Sequence, residues 1–596
     1  MVKHFLPEKT EDLVLHCLRS YVYENEDLSL LERQRVVFNN KYDAGKVTLI
    51  SGGGSGHEPG WAGFVGPGML TATCQGDIFA SPNYKNIKDA EKATHSNAGV
   101  IFLITNYTGD NLYFGMAAQE LISKFGQDKV RILRATDDVS IGKSNSSLVG
   151  RRTLAGCVFV MKILGAASQK GYDIDTIFRL GEYINENIAS VNAGLDHVHV
   201  PGHDANADYG KLGDNQMEIG LGIHNEPGAH RIDNVPRNEK LVPQLLDMIL
   251  DKKDKERGFM DYTPGDKFML LINNLAGLPI IEERALTHTV VEVLEKRYGI
   301  VPSRVTSGTF ITSINAPIFT ISLFNVTRSC DDRFTEEEIF ELFDTRTEAT
   351  SFPTRRHTSI TPLNTRHRLI SNFSGYEEGD TMKFSNDIVI DSNLLKKVVT
   401  TAAKNVIELE PKLTKWDTKM GDGDCGTTLE FAAQQVLKAL DKGVADEGSV
   451  FTTLYAVLSV VRDDMGGTLG AILFIFTKSL INSLQNNLEH GTKSTQENFA
   501  DSLLHALETL EKFTKAREGH RSLMDVLIPF CNTYASLRNL SHAISVSHRA
   551  AEHTTKLRPK LGRAAYVGGV DKMTEFPPDP GAYGIYGIIS GLQVLS

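Results

Sequence analysis

The chain predicts a multidomain protein: an α/β region of two lobes, a linker, and an all-α domain. Three observations carry this. Residues 1–345 alternate short apolar, β-rich runs with helical patterns. Residues 346–387 lose all periodicity and are dominated by Thr, Ser, Arg, Asn and Pro. From Ser392 onward apolar residues recur almost only at helical spacing. At 596 residues the chain exceeds what one core holds, so two to four domains are expected.

In the first region, Lys46–Ser51, Gly99–Ile104 and Val130–Leu133 read as buried strands, and Tyr113–Phe125 between them has helical periodicity. That alternation is the pattern of a parallel sheet flanked by helices. A second lobe is expected from about Ser190, with a strand at Phe268–Ile272, a helix at Ile280–Arg297, and two strands over Phe310–Val326 joined at Asn315-Ala-Pro317. The linker of about 40 residues would span roughly 35 Å as a flexible chain, enough to reach a neighbouring subunit. The third region predicts helices at Leu394–Leu409, Leu429–Leu440, Val450–Arg462, Thr468–Leu484, Phe499–Phe513, Leu523–Leu537 and Leu540–His553, and a last one after Gly581.

Composition excludes several classes of function. The hydrophobic fraction of 41% is that of an ordinary globular protein, and a net charge of −11 argues against nucleic acid or an anionic membrane as the main partner. Six widely spaced cysteines without a Cys-x-x-Cys pair fit reduced thiols in a cytoplasmic protein, not a disulfide frame or zinc site. The start lacks the apolar core of a signal peptide, and no run of about 18 apolar residues suggests a membrane span.

The most informative segment is Trp416-Asp-Thr-Lys-Met-Gly-Asp-Gly-Asp-Cys-Gly426. Asp417, Asp422 and Asp424 lie within eight residues, with Gly421, Gly423 and Gly426 among them. Glycine lets the backbone bend sharply, so neighbouring carboxylates can converge. Converging carboxylates repel one another unless a cation sits between them. Oxygen-only ligands suit a hard ion, Mg2+ first, which usually accompanies phosphates. A plain Asp/Gly turn is the alternative; the spacing of a Ca2+ loop is absent.

A second segment is Gly52-Gly-Gly-Ser-Gly-His-Glu-Pro-Gly60, directly after a predicted strand. Glycines at the carboxyl end of a parallel strand expose backbone N–H groups to small polar ligands. The spacing matches neither the dinucleotide fingerprint nor a Walker loop; Gly142-Lys143-Ser144 supplies only the end of the latter, with Asp137 where its first Gly belongs. The next strand ends in Asn106-Tyr-Thr-Gly-Asp110. Parallel strands in register would put His57 and Asp110 at one sheet edge, where a His near a carboxylate makes an acid/base pair. The alternative is that His57 caps its loop and Asp110 caps the following helix. A third segment, Ile219-Gly-Leu-Gly-Ile-His-Asn-Glu-Pro-Gly228, places His224 on a tight connection.

Together these motifs resemble the dihydroxyacetone kinases, in the single-chain, ATP-using form of fungi and animals. The resemblance covers nearly the whole chain. Ser51–Pro59, Asn106–Asp110 and Gly222–Gly228 look like substrate-domain motifs. Asp417 with Gly421–Gly426, Met465-Gly-Gly-Thr468, Gly562-Arg-Ala-Ala-Tyr-Val-Gly568 and Asp579-Pro-Gly-Ala582 look like those of a helical-barrel nucleotide domain. The resemblance implies that His224 attacks the substrate carbonyl and holds it as a hemiaminal. Gly54, Ser55, Gly56 and His57 would cradle the adduct, with Thr105 nearby. Asp110 would take the proton from the terminal hydroxyl as it attacks the γ-phosphate, with His57 assisting. Dihydroxyacetone has only six heavy atoms, so noncovalent affinity is capped at roughly 1.5 kcal/mol per atom. A covalent bond to the carbonyl carbon holds it more firmly and excludes polyols.

In the second half, Asp417, Asp422 and Asp424 match the Mg2+ ligands, and two ions are expected with ATP. Asp422, Gly423, Asp424, Cys425, Thr468, Leu469, Thr514, Ser522, Leu523, Arg563, Asp579, Pro580 and Gly581 match nucleotide contacts. Thr468 and Leu469 would open an apolar helix whose N–H groups favour anions. Asp579 would cap the last helix and Pro580 open it. Arg563 is the cation expected beside the phosphates. D-Glyceraldehyde is implied as a second substrate, and a homodimer in which one chain's helical domain covers the other's substrate site.

The chain departs from the family pattern at Thr105, where Lys is usual, at Leu469, where a hydroxyl is usual, and at Thr514, a helix position that is usually Gly. None of these is the implied nucleophile, base or metal ligand, so an active but slower enzyme is expected. Two other readings stand beside the kinase. One is an FAD-AMP lyase, preferring Mn2+, that uses the aspartates but not His224. The other is a noncatalytic binding homologue.

Overall fold

A computed structural model describes residues 4–144, 150–201, 212–353, 386–491, 493–561, 564 and 575–596. The chain divides into two compact units, Met1–Ser371 and Asn372–Ser596. Most of the expected linker, 354–385, and Arg563 lie outside the described residues.

Unit 1 holds two six-stranded sheets. The first comprises β1 (Leu28–Leu31), β2 (Val36–Asn39), β3 (Thr48–Ser55), β4 (Ala72–Ile78), β5 (Val100–Thr105) and β6 (Val130–Ala135), in the order β1-β2-β4-β3-β5-β6. The strands β4, β3, β5 and β6 are parallel, as the alternating pattern predicts, while β1 and β2 form an antiparallel edge. The apolar runs of β3 and β5 are buried on both faces, which is why they read as continuous rather than alternating.

The second sheet begins at β7 (Ile188–Gly194). It continues with β8 (Met217–Ile219), β9 (His230–Ile232), β10 (Phe268–Asn274), β11 (Arg304–Gly308) and β12 (Ile318–Asn325), in the order β11-β10-β12-β7-β8-β9. Only β10 and β11 pair in parallel. The helix Cys157–Lys170 is buried along almost its whole length and belongs to the core shared by the two lobes. A second cluster fills the outer side of the second sheet.

Two expectations in this lobe need correction. Phe310–Val326 is not a pair of strands. Only Ile318–Asn325 is extended in a sheet, and residues 309–317 form a loop tied by hydrogen bonds to two other loops. The neighbouring strand is the more polar Arg304–Gly308, whose alternation is too weak to stand out. The expected helix Ile280–Arg297 is α-helical to Val293 and finishes as a π turn over Leu294–Tyr298, closed by Gly299.

Among its described residues unit 2 has the α-helices Ser392–Met420, Cys425–Asp441, Val450–Asp464, Gly467–His490, Thr495–Phe513, Met524–Leu537, Leu540–His553 and Pro580–Ser590, and no strand beyond a single bridge between Val389 and Ser449. All eight predicted helices are present. The first runs 11 residues past its expected end, straight through Pro411, because its buried face continues with Leu413, Asp417 and Met420. Burial of that face outweighs the hydrogen bond lost at proline. Thr514 is not inside a helix; it is the extended residue just past Phe513. Gly467–His490 is long and apolar enough to cross a membrane by length and composition, contrary to the reading that no such run exists. In this fold its Leu469, Leu473, Phe474, Phe476, Ile481 and Leu484 pack into clusters with neighbouring helices.

Candidate functional site

In unit 1 the parallel register sets the first half of the site. Gly52 of β3 lies opposite Ile104 of β5, so the loops leaving both strands emerge at one edge. The glycine loop carries His57 there, buried. The following segment brings Asp110, also buried, on the first turn of the helix Thr108–Phe125. Asp110 does not cap that helix, whose capping position is Tyr107 without a side-chain bond. Instead its Oδ2 accepts a hydrogen bond from Thr105 Oγ1.

His224 arrives from the second sheet, on the hairpin between β8 and β9, closed by the register of Ile219 against His230. At the tip Asn225 adopts φ +66 and exchanges two hydrogen bonds with Val198, of 2.9 and 2.8 Å. Gly222 is required here: a Cβ would sit 1.9 Å from Glu226 Oε2. The loop 309–317 stitches the halves together. Ile314 N donates to Gly56 O at 2.8 Å, Thr312 N to His57 O at 3.2 Å, and Ser313 Oγ to Ile223 O at 2.7 Å.

The result is a continuous polar chain. His57 Nδ1 lies 2.8 Å from Thr312 O, and His57 Nε2 lies 3.0 Å from His224 Nε2. His224 Nδ1 lies 3.2 Å from Glu226 Oε1, and its backbone N donates to Glu226 Oε2 at 2.8 Å. A carbonyl only accepts, so His57 carries its hydrogen on Nδ1 and turns a lone pair toward His224. Burial, with His224 adding to it, pushes the His57 imidazole down to about 3, so it stays neutral. Burial also pushes Glu226 up, but the hydrogen bond and charge of His224 outweigh this and hold it at about 2. Burial raises Asp110, against the pull of the nearby Ser81 hydroxyl, of the Thr105 hydrogen bond and of His224. Phe79, Tyr107 and His57 each present a ring roughly perpendicular to His224, at 5.3, 4.6 and 4.8 Å between centroids.

Thus His57, Asp110 and His224 converge, and Gly54, Ser55, Gly56 and Thr105 lie on the same two strand ends. Glu226, Thr312, Phe79 and Tyr107 were not singled out from sequence. Glu226 and Tyr107 sat inside the quoted motifs, and a carboxylate two residues past a histidine was the available signal. Thr312 had none, being more than 250 residues from His57.

In unit 2, Asp417 lies in the last turn of the helix Ser392–Met420, Asp424 stands just before the helix Cys425–Asp441 without a side-chain capping bond, and Asp422 lies between them. One carboxylate oxygen from each falls within 4.8 Å of the others. Oxygens across an octahedral Mg2+ lie about 4 Å apart, so this set fits a hard divalent ion. Asp417 Oδ2 accepts from Cys425 N at 3.0 Å, which orients it. A Cβ on Gly421 would stand 2.3 Å from Asp417 Oδ1, and Gly423 turns with φ +81.

Asp579 caps the last helix through Ala582 N at 2.8 Å, with Pro580 at its first position. Burial pushes Asp579 up to about 6, and Asp525 and Asp417 add to that; the Ala582 N–H and Arg521 oppose it. Arg521, missed in the sequence, is fully buried with φ +58, and its Nη1 lies 3.7 Å from Asp579 Oδ2. Asp525 clasps the same loop by accepting from Gly519 N and Ser522 N at 2.5 and 2.7 Å. Thr468 stands exposed on the first turn of its helix. Leu469, however, packs against the apolar core, as does Leu523.

Comparison with known proteins identifies the family. A Dak1 domain model matches residues 19–351 and a DAK2 domain model residues 419–594. The dihydroxyacetone kinase of Komagataella pastoris is 38% identical, covering 98% of this chain and 97% of its own. Dihydroxyacetone kinase 1 of Saccharomyces cerevisiae is 34% identical, covering 98% of each. The mouse protein named triokinase/FMN cyclase is 29% identical, covering 95% and 94%. Among solved structures, the dihydroxyacetone kinase of C. freundii in complex with AMP-PNP and Mg2+ is 25% identical and covers both chains fully, with a TM-score of 0.61. Both domains in one order, over nearly the full length of these relatives, mean that the chain belongs to the single-chain dihydroxyacetone kinases, a family of ATP-dependent phosphotransferases.

Proposed function

We propose that the chain phosphorylates dihydroxyacetone, and D-glyceraldehyde as a second substrate, by holding the triose on His224 as a hemiaminal. The observation that carries this is the line Thr312–His57–His224–Glu226. It leaves Nε2 of His224 as the reacting atom and a neutral imidazole 3.0 Å away to handle its hydrogen. As Nε2 bonds to the carbonyl carbon, its hydrogen passes to His57 Nε2. His57 returns that hydrogen to the former carbonyl oxygen, which becomes the hemiaminal hydroxyl. Glu226 stays ionised and balances the charge left on the alkylated imidazole. Asp110 then accepts the proton of the terminal hydroxyl as that oxygen bonds to the γ-phosphorus and the bond from that phosphorus to the β–γ bridging oxygen breaks, releasing ADP.

Asp417, Asp422 and Asp424 would hold Mg2+, two ions by the family reading, which supplies charge neutralisation of the ATP phosphates. Residues of the glycine loop 421–423, the first turn of Gly467–His490 and the Asp579 cap would bind and orient the nucleotide. The family reading also supports a homodimer with the helical unit of one chain over the substrate site of the other. Six unpaired cysteines support a reducing compartment, the cytosol.

The test is mass spectrometry of the intact chain with dihydroxyacetone. His224→Ala is expected to lose the adduct while nucleotide affinity is unchanged; an undiminished adduct would remove His224 from the mechanism. The mouse relative is named an FMN cyclase as well as a triokinase, which favours the second family reading, splitting of FAD into AMP and cyclic FMN at the aspartate cluster. His224→Ala would leave that activity intact.

A further inference from the structure

Asp110 is held asymmetrically. Its Oδ2 accepts a hydrogen bond from the Thr105 hydroxyl, five residues earlier at the end of β5, whereas its Oδ1 is buried and has no hydrogen-bond partner. A buried carboxylate oxygen without a donor is costly, and an incoming hydroxyl would satisfy it. Thr105 is itself 3% exposed and sits at the last position of a strand buried on both faces, so its rotamer is fixed by packing. The hydroxyl therefore pins one carboxylate oxygen and leaves the other to face the reaction.

From this geometry we propose that Thr105 is a positioning residue that presents Asp110 Oδ1 to the substrate hydroxyl and does not itself bind substrate. This rests on the reading of Asp110 as the base. During transfer Oδ1 takes the proton released as the substrate oxygen bonds to the γ-phosphorus and ADP leaves with the bridging oxygen, and Oδ2 keeps its bond to Thr105 throughout. A hydroxyl also spares the base a neighbouring fixed charge. A cation at position 105 would hold Asp110 ionised but would compete for the same carboxylate.

The ionisable groups facing Asp110 are the Cys74 thiol from β4, which burial keeps protonated, and His224 from the β8–β9 hairpin. The Ser81 hydroxyl, from the segment after β4, is its other neighbour. Replacing Thr105 alters only its own bond, so a difference between the pH profiles of wild type and variant reports Asp110.

The experiment compares full-length wild type, Thr105→Val, Thr105→Ser and Asp110→Asn in Mg2+-ATP turnover of dihydroxyacetone from pH 5 to 9, with adduct formation and melting temperature alongside. Thr105→Val is nearly isosteric. It is expected to lower kcat about tenfold with KM within about twofold, from loss of one charge-assisted hydrogen bond. The adduct and melting temperature should be retained, and the acidic limb of kcat should move to higher pH because a donor to the carboxylate has gone. Thr105→Ser should restore both rate and profile. A Thr105→Val enzyme with wild-type kcat and limb, beside an inactive Asp110→Asn, overturns the positioning role alone. So does a Thr105→Val enzyme with raised KM, lost adduct and an unmoved limb, since that marks a substrate contact. Undiminished turnover in Asp110→Asn overturns the base assignment and this inference with it.

Discussion

Glu226 holds His224 from two directions, through the ring Nδ1 and the backbone N, while Gly222 clears the space that its carboxylate occupies. His57 is the complementary case: no carboxylate bonded to its ring, full burial, a backbone carbonyl on Nδ1 and His224 on Nε2. That difference has a consequence for stability. His57 is held near 3 in the native state against an ordinary 6.5. Below pH 6.5 the unfolded chain binds a proton that the native chain refuses, so stability is fully present above 6.5 and falls as pH drops toward 3. The slope is about 1.4 kcal/mol per pH unit for this one group. Glu226 adds its own loss only below about 4.5, as pH falls toward its depressed value near 2. Urea unfolding of unit 1 should therefore weaken between pH 7 and pH 5, and His57→Asn should show a shallower dependence over that window.

At the scale of elements, function sits where regular structure ends. The site in unit 1 is built from the ends of β3 and β5, the tip of the β8–β9 hairpin and the loop 309–317. The aspartate cluster lies at the junction of two helices. That junction depends on backbone room. Gly421→Ala would push a methyl to 2.3 Å from Asp417 Oδ1 and turn the carboxylate away. Because the residue lies just past a helix end, helix content should survive. Apparent Mg2+ affinity in turnover should fall about 10–100-fold, the range seen when a ligand loses its orientation. An unchanged Mg2+ dependence would mean that Asp417 is not held by this contact. Elements also show where periodicity fails as a guide. The helices of unit 2 were legible because their apolar stripes are long. β8 and β9 were not, because three-residue strands carry no period, and the loop 309–317 looked like strand because Phe310, Ile311 and Ile314 are apolar. They are apolar because they pack into the core beneath the site, not because they pair in a sheet.

Over the whole molecule, each hydrophobic cluster among the described residues draws on one unit alone: three on unit 1 and three on unit 2. Separate cores are the condition for separate folding. Residues 1–371 expressed alone should fold and form the triose adduct, since every group in the His57–His224–Glu226 line belongs to them, yet consume no ATP. Adding full-length His224→Ala, whose helical unit is intact, should restore measurable turnover if one chain serves another. Absence of the adduct in residues 1–371, despite a cooperative melt, would mean that unit 2 is needed to complete the first site.

The sequence by itself determined the division into an α/β half and a helical half, the family, and the short-range part of each site. Glycines beside aspartates or a histidine constrain chain geometry over a few residues, and such constraints are written locally. Tertiary structure alone decided that Thr312 sets the hydrogen on His57, that His224 comes from a hairpin of the opposite sheet, and that a buried Arg521 lies behind the last helix cap. Those pairings join residues far apart in the chain, and they exist because burial strips polar groups of water and forces each to find whatever partner the packing brings within reach.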